Sequence, residues 1–195
     1  MKNILKYSFI MFSFVLASSF LISTFAIDLK LKSFSETLIG FALSFFGLGV
    51  VVASFTHNII REKFNLFFTL ISSVIIQFLF TLLIFFHFKI LIILVITFIL
   101  GFTNHINFLT IETHISSKYK INSSFYISLF WSSAGLGAIL GSLIIAINGV
   151  NIISYFIALG LITFQFIPIL VAKSNVMNII IENVKFSLSY KVINN

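Results

Sequence analysis

The chain has 195 residues, 59% hydrophobic and 9% charged, with a net charge of +7 and a mean hydropathy of +1.17. Soluble domains carry about 25% charged residues and disordered chains lack this much apolar side chain, so both classes are excluded. The positive charge is not a nucleic-acid signal, because the basic residues stand singly or in pairs at the ends of apolar runs. The absence of cysteine removes disulfides, thiolate catalysis and thiolate metal sites.

A helix needs about 20 apolar residues to cross the hydrocarbon layer, and six stretches meet that requirement. The first covers 7–27 behind Lys2 and Lys6. It is longer than the apolar core of a secretory signal and no A-x-A site closes it, so a retained span is expected. A polar stretch from Asp28 to Glu36 follows. The second span covers 37–60 and ends at Arg61-Glu62-Lys63. The third covers 64–86 and the fourth 90–111, hinged at His87-Phe88-Lys89; Lys89 is the single formal charge between Phe64 and Ile111. A polar stretch from Glu112 to Ser124 holds Lys118 and Lys120. The fifth span covers 125–147, Asn148 to Asn151 make a tight turn, and the sixth covers 152–172, where Pro168 is placed to kink it. The expected fold class is therefore an all-α membrane protein: one six-helix domain over 1–172 and a tail over 173–195. In the tail, Val176, Ile179, Ile180, Val184 and Leu188 fall near helical spacing around Lys185. That pattern fits either an amphipathic helix on the membrane surface or a remnant without fixed structure.

Lysine and arginine in short loops set orientation. With the N-terminus inside, the cytoplasmic segments hold nine (Lys2, Lys6, Arg61, Lys63, Lys118, Lys120, Lys173, Lys185 and Lys191) and the outer loops hold three (Lys30, Lys32 and Lys89). Both termini are expected in the cytoplasm, in a cell inner membrane.

The fourth span carries the most unusual polar content: Asn104, His105, Asn107, Glu112 and His114. His105 and Glu112 are seven residues apart and share a helix face, about 10 Å apart along the axis. Asn107 and His114 share the roughly opposite face. Ionisable groups at depth are costly and usually face a bundle interior or an aqueous cavity. Asn104, His105 and Glu112 are therefore candidates for a solute or proton path; the plainer reading puts Glu112 and His114 at the inner interface, where charge costs little. His57, His87, His105 and His114 fall on different spans and loops with no H-x-x-E-H or H-E-x-x-H pattern, so no metal site and no cofactor are expected. No nucleophile–base pair or phosphate loop can be read, so an enzyme is not expected either. Small residues form two stripes: Gly40, Ser44 and Gly47 with Gly49 beside them, and Ser133, Gly137 and Gly141 with Gly135 and Ser142 adjacent. Small-xxx-small faces let helix backbones approach closely.

Six spans with both ends inside, in this order of features, resemble the N-terminal half of a major facilitator superfamily transporter. Ser35-Glu36-Thr37-Leu38-Ile39-Gly40-Phe41 opens the second span as many members open theirs. His57-Asn58-Ile59-Ile60-Arg61-Glu62-Lys63-Phe64 stands where the family has G-x-x-x-D-R-x-G-R-R, keeping basic Arg61 and Lys63 without the glycines or the Asp. Gly101 matches the glycine of the fourth-span R-x-x-x-G motif, with Thr97 at the Arg position. Gly137-Ala138-Ile139-Leu140-Gly141-Ser142 is similar to G-P-x-x-G-G, and Ile111-Glu112-Thr113 to the Glu-Ser of some sugar- and drug-efflux branches. The resemblance, over about residues 7–172, implies a secondary transporter moving a small solute, with Arg61 and Lys63 in a gating loop. It also implies a second six-span half as partner, from a separate chain or by self-association. The competing reading is a non-transporting membrane protein, a decayed fragment or a structural partner. Reporter fusions at Lys63, Lys118 and Lys173 should read cytoplasmic and one at Lys32 external; an external C-terminus would defeat this topology.

Overall fold

A computed structural model describes residues 2–83, 90–119 and 122–170. The described chain is all-helical: α1 (Lys2–Leu31), α2 (Glu36–Lys63), α3 (Leu66–Leu83), α4 (Ile90–Lys118), α5 (Ser123–Asn148) and α6 (Ile152–Phe164). Six helices are long and apolar enough to cross a membrane, the last spanning Ile152–Leu170. The expected hinge at 87–89 and the tail from Lys173 onward lie outside the described residues.

The helix ends are fixed by local chemistry. At the end of α1, Phe34 N–H donates to Leu29 O and Ser33 N–H to Lys30 O, at 3.1 and 3.0 Å, with Ser33 in the left-handed region at φ 62°. This is the paired 6→1 and 5→2 closure of a helix C-terminus, and Phe34 packs beside Leu29 as such endings favour. Ser35 then caps α2 by accepting from Leu38 N–H, with Glu36 in the first turn and Arg61 and Lys63 in the last, each favourable to the helix dipole. Asn65 accepts from Phe68 N–H at 2.7 Å and starts α3. Asn151 and Ser154 form a reciprocal capping box on α6.

Two boundaries differ from those expected. Residues 57–63 are the last turns of α2, so Arg61 and Lys63 belong to a helix end and not to a loop; Phe64 and Asn65 alone separate α2 from α3. Likewise α4 runs on through Glu112 to Lys118, although polar residues begin at 112. Polarity marks where a helix leaves apolar surroundings. It does not end the helix, because 112–118 contains no Gly or Pro and the hydroxyls of Ser116 and Ser117 bond back to Glu112 O and His114 O. At Pro168 the expectation holds in form. The proline has no N–H for Phe164 O, α6 is interrupted at Gln165, whose N–H turns to Ile162 O at 3.1 Å, and helical backbone resumes over 166–170.

The surface is inverted relative to a protein that folds in water. On α3 the inward positions include Thr69, Ser73, Gln77 and Thr81, every fourth residue, while Phe68, Ile75, Ile76, Leu79 and Leu83 face out. The buried hydroxyls of Thr69 and Ser73 satisfy themselves on their own helix at 3.1 and 2.8 Å.

Packing is organised in two pairs of non-consecutive helices. α1 lies chiefly on α5 and α4 chiefly on α2, while α3 leans on α4 and α6 on α1. Exchanging α1 with α4, α2 with α5 and α3 with α6 reproduces these main contacts, so the packing relates the first three helices to the last three. The α1–α5 pair is parallel: Gly137 meets Phe12 and Leu16, and Gly141 meets Leu16 and Phe20. α1 and α4 are antiparallel, with Tyr7 beside His114 at one end and Phe25 and Leu29 clustered with Leu94 at the other. The two sets of three helices therefore run in opposite senses.

Glycine makes both pairs possible. A methyl at Gly137 would stand 2.6 Å from Phe12 O, and one at Gly141 2.5 Å from Leu16 O. The expected packing role of Gly137 and Gly141 thus has a specific surface, the α1 backbone. On α2 the expected stripe is displaced. A methyl at Gly40 or Gly47 meets nothing within 4 Å, whereas Gly49 abuts the backbone of Phe98 and Phe102, and Gly101 that of Phe46. The cause is rotational: Gly49 lies about 200° around the helix from Gly47, on the side with buried Ala42, Ala53 and His57. Gly141→Ala should cost about 1–3 kcal/mol, as overpacking does, and Gly137→Leu should abolish folded, protease-resistant protein. Gly47→Ala should be near neutral in denaturant titrations of the chain alone. Equal effects at positions 47 and 141 would refute these helix rotations.

Candidate functional site

The middle of α4 is where the two pairs leave room. A cleft of about 390 Å³ is lined by Met11 and Val15 of α1, Phe46 and Val50 of α2, Asn104, His105 and Phe108 of α4, and Trp131, Ala134, Gly135 and Ala138 of α5. All four helices of the two pairs contribute, so the cleft sits at the interface of the two three-helix sets. Asn104 and His105 stand about 20 Å of helix from either end of α4. The small residues matter here too: beside Trp131, Gly135 and the alanines add little bulk to the α5 side of the cleft.

His105 is held in place. Its Nε2 is 3.0 Å from Ser54 Oγ on α2. Ser54 Oγ also lies 3.1 Å from Val50 O; when its proton goes there, His105 donates from Nε2 and Nδ1 is an acceptor. The imidazole lies parallel to the Phe108 ring, 5.7 Å between centroids and 4° between planes, and Phe108 meets Trp131 edge-on at 4.4 Å. An unbroken aromatic wall, His105–Phe108–Trp131, runs from α4 to α5.

The other expected site residues separate. Glu112 is half-buried, within electrostatic reach of His105 but outside the cleft lining, and no salt bridge among the described residues involves it. Asn104 and His105 are thus brought together, and Glu112 stands apart along the helix. His114 faces α1, 2.9 Å from Tyr7 Oη. Lys118 Nζ hangs over the rings of Tyr7 and Tyr119 at 6.0 and 5.8 Å. Burial, and then the neighbouring Tyr126, push the Tyr119 hydroxyl above its ordinary value. Lys, Tyr and His thus gather at this end of the bundle as an interfacial belt would. Asn107, 1% exposed, finds no protein hydrogen bond for either amide atom among the described residues, and the same holds for Gln165. Arg61 is exposed at the end of α2 and acts electrostatically on His57 and His114. Among the described residues no three His, Asp or Glu side chains converge to hold a metal ion.

Sequence reasoning had no means of finding Phe108 or Ser54 as site residues: one is an aromatic among 27 phenylalanines and the other a serine that bonds to its own helix. Trp131 did leave a signal, as the single tryptophan of the chain. The His105–Ser54 contact ties α2 to α4 through polar side chains. A double-mutant cycle on His105→Ala and Ser54→Ala should give a coupling of about 0.6 kcal/mol, the usual size for such bonds between spans. Strict additivity of the two changes would mean that the bond does not form.

No protein-family model matches the chain, and no significant match was found to a curated protein or to a solved structure.

Proposed function

We propose that this chain is a multi-pass protein of the cell inner membrane and the N-terminal six-span half of a secondary transporter of a small solute, of the major facilitator type. The opposed three-helix sets, with a largely apolar cleft holding Asn104 and His105 between them, support this reading. Transporters are commonly built from inverted repeats and bind their solute near the midplane, where the repeats meet. The inverted surface supports membrane embedding, since apolar side chains face out while Thr, Ser and Gln face in. On this reading both termini are cytoplasmic, following the nine-to-three distribution of basic residues.

A partner follows from the energetics of the cleft. Asn104 and His105 in contact with lipid tails would lack hydrogen-bond partners for part of their polar surface. Covering by a second six-span half, from another chain or from a second copy, relieves that cost. The open faces of α2 and α5 suit such contact: Gly40, Ser44 and Gly47 on one, and Ser128, Ser132 and Gly135 on the other, are at least partly exposed and admit another backbone. The active form then holds at least two polypeptides. Arg61 and Lys63, at the end of α2, supply the charge that gating at that end would use.

Uptake into vesicles tests this reading. The monomer should transport nothing, and uptake should appear only with a second six-span half or in a defined oligomer. His105→Ala should reduce uptake at least tenfold, and His87→Ala little. Robust uptake by a demonstrated monomer would overturn the half-transporter account; equal indifference to both changes in an active complex would remove His105 from the path. Complete inactivity of every assembly would leave a non-transporting membrane protein.

A further inference from the structure

We infer that the central cleft is built for an organic cation bearing an aromatic ring, of the arylalkylammonium kind. The inference rests on the cleft being the solute site, and it names what that site selects.

Three features of the lining lead there. The first is the wall of π-faces. Trp131 is half-exposed at the rim, Phe108 meets it edge-on at 4.4 Å, and His105 continues the wall on the far side of Phe108. Rings arranged this way accept a flat ring by offset or edge contact, and their faces attract cations. The second is charge. Among the described residues, not one Lys, Arg, Asp or Glu lines the cleft. The formal charge that acts on His105 is the carboxylate of Glu112, two turns along the same helix. Without a cationic group in the wall, a carboxylate or phosphate on the solute would have no counter-charge, and an ammonium would find a favourable field. The third is hydrogen bonding. Nε2 of His105 faces Ser54 Oγ at 3.0 Å; in the tautomer that donates there Nδ1 is an acceptor, and the Asn104 amide offers a further oxygen. Two acceptors beside a ring wall match the N–H donors of an ammonium attached to an aryl group. The cleft volume, about 390 Å³, lies in the range of sites for small organic ligands, roughly 300–1,000 Å³.

Trp131 is the chain's single tryptophan, so its fluorescence reports on the cleft without labelling. The full chain in small lipid vesicles free of other protein would be titrated with phenethylammonium, its cyclohexyl analogue and phenylpropionate. Phenethylammonium should give a saturable change in Trp131 emission and bind about three- to tenfold tighter than the cyclohexyl cation, which keeps the charge and loses the ring. It should exceed the phenyl anion by at least as much. Glu112→Gln should narrow the gap between cation and anion, and Phe108→Ala, which keeps the reporter, the gap between aromatic and saturated ring. Should Phe108→Ala fail to fold, the three probes on the unaltered chain decide alone. Equal binding of the ring and cyclohexyl cations, preference for the anion, or no saturable change would each overturn the inference. Saturable, ring-selective binding without uptake by any assembly would uphold it and defeat the transporter reading; uptake of solutes without this selectivity would do the reverse.

Discussion

The arrangement of the bundle depends on backbone touching backbone at four glycines. Where apolar side chains are already surrounded by an apolar phase, burying them against one another yields little, and helix association relies on close van der Waals approach. Gly137 and Gly141 lay α5 against the α1 backbone, and Gly49 and Gly101 do the same for α2 and α4. Once these two pairs are fixed, the remaining positions follow. α3 and α6 touch each other and lie against α4 and α1, Asn104, His105 and Phe108 of α4 reach the gap between the pairs, and the cleft appears where both pairs contribute a wall.

Much of this is legible in the sequence, for reasons that differ by feature. Six apolar stretches register there because the requirement is additive over about 20 residues, and no single misplaced residue hides it. The ends are less legible. Arg61 to Lys63 and Glu112 to Lys118 look like loop by polarity, yet nothing in either segment breaks a helix, and both continue the spans that precede them. In the first, the basic residues also sit well at a helix C-terminus.

The packing glycines show a finer limit. Spacing identifies a small-residue stripe on each of α2 and α5, and on α5 the stripe is the contact. On α2 it is not, because Gly47 and Gly49 point to nearly opposite sides and sequence alone does not say which side has a neighbour. The cleft shows the same limit. Asn104 and His105 announce themselves as polar groups in an apolar run, but Met11, Val50, Phe108 and Trp131 come from four helices, and only their meeting makes a site.

The pairing of α1 with α5 also bears on how the protein is made. Three helices separate these partners in the chain, while α4 finds α2 with one helix between. During synthesis the α2–α4 unit can close first, and α1 must wait until α5 has emerged. Until then the α1 backbone from Phe12 to Phe20, whose close neighbour is the glycine face of α5, stays open to other partners. Non-local contacts of this kind are slow to form and exposed to misassembly. The pairing of α1 with α5 is thus completed only once α5 has been made.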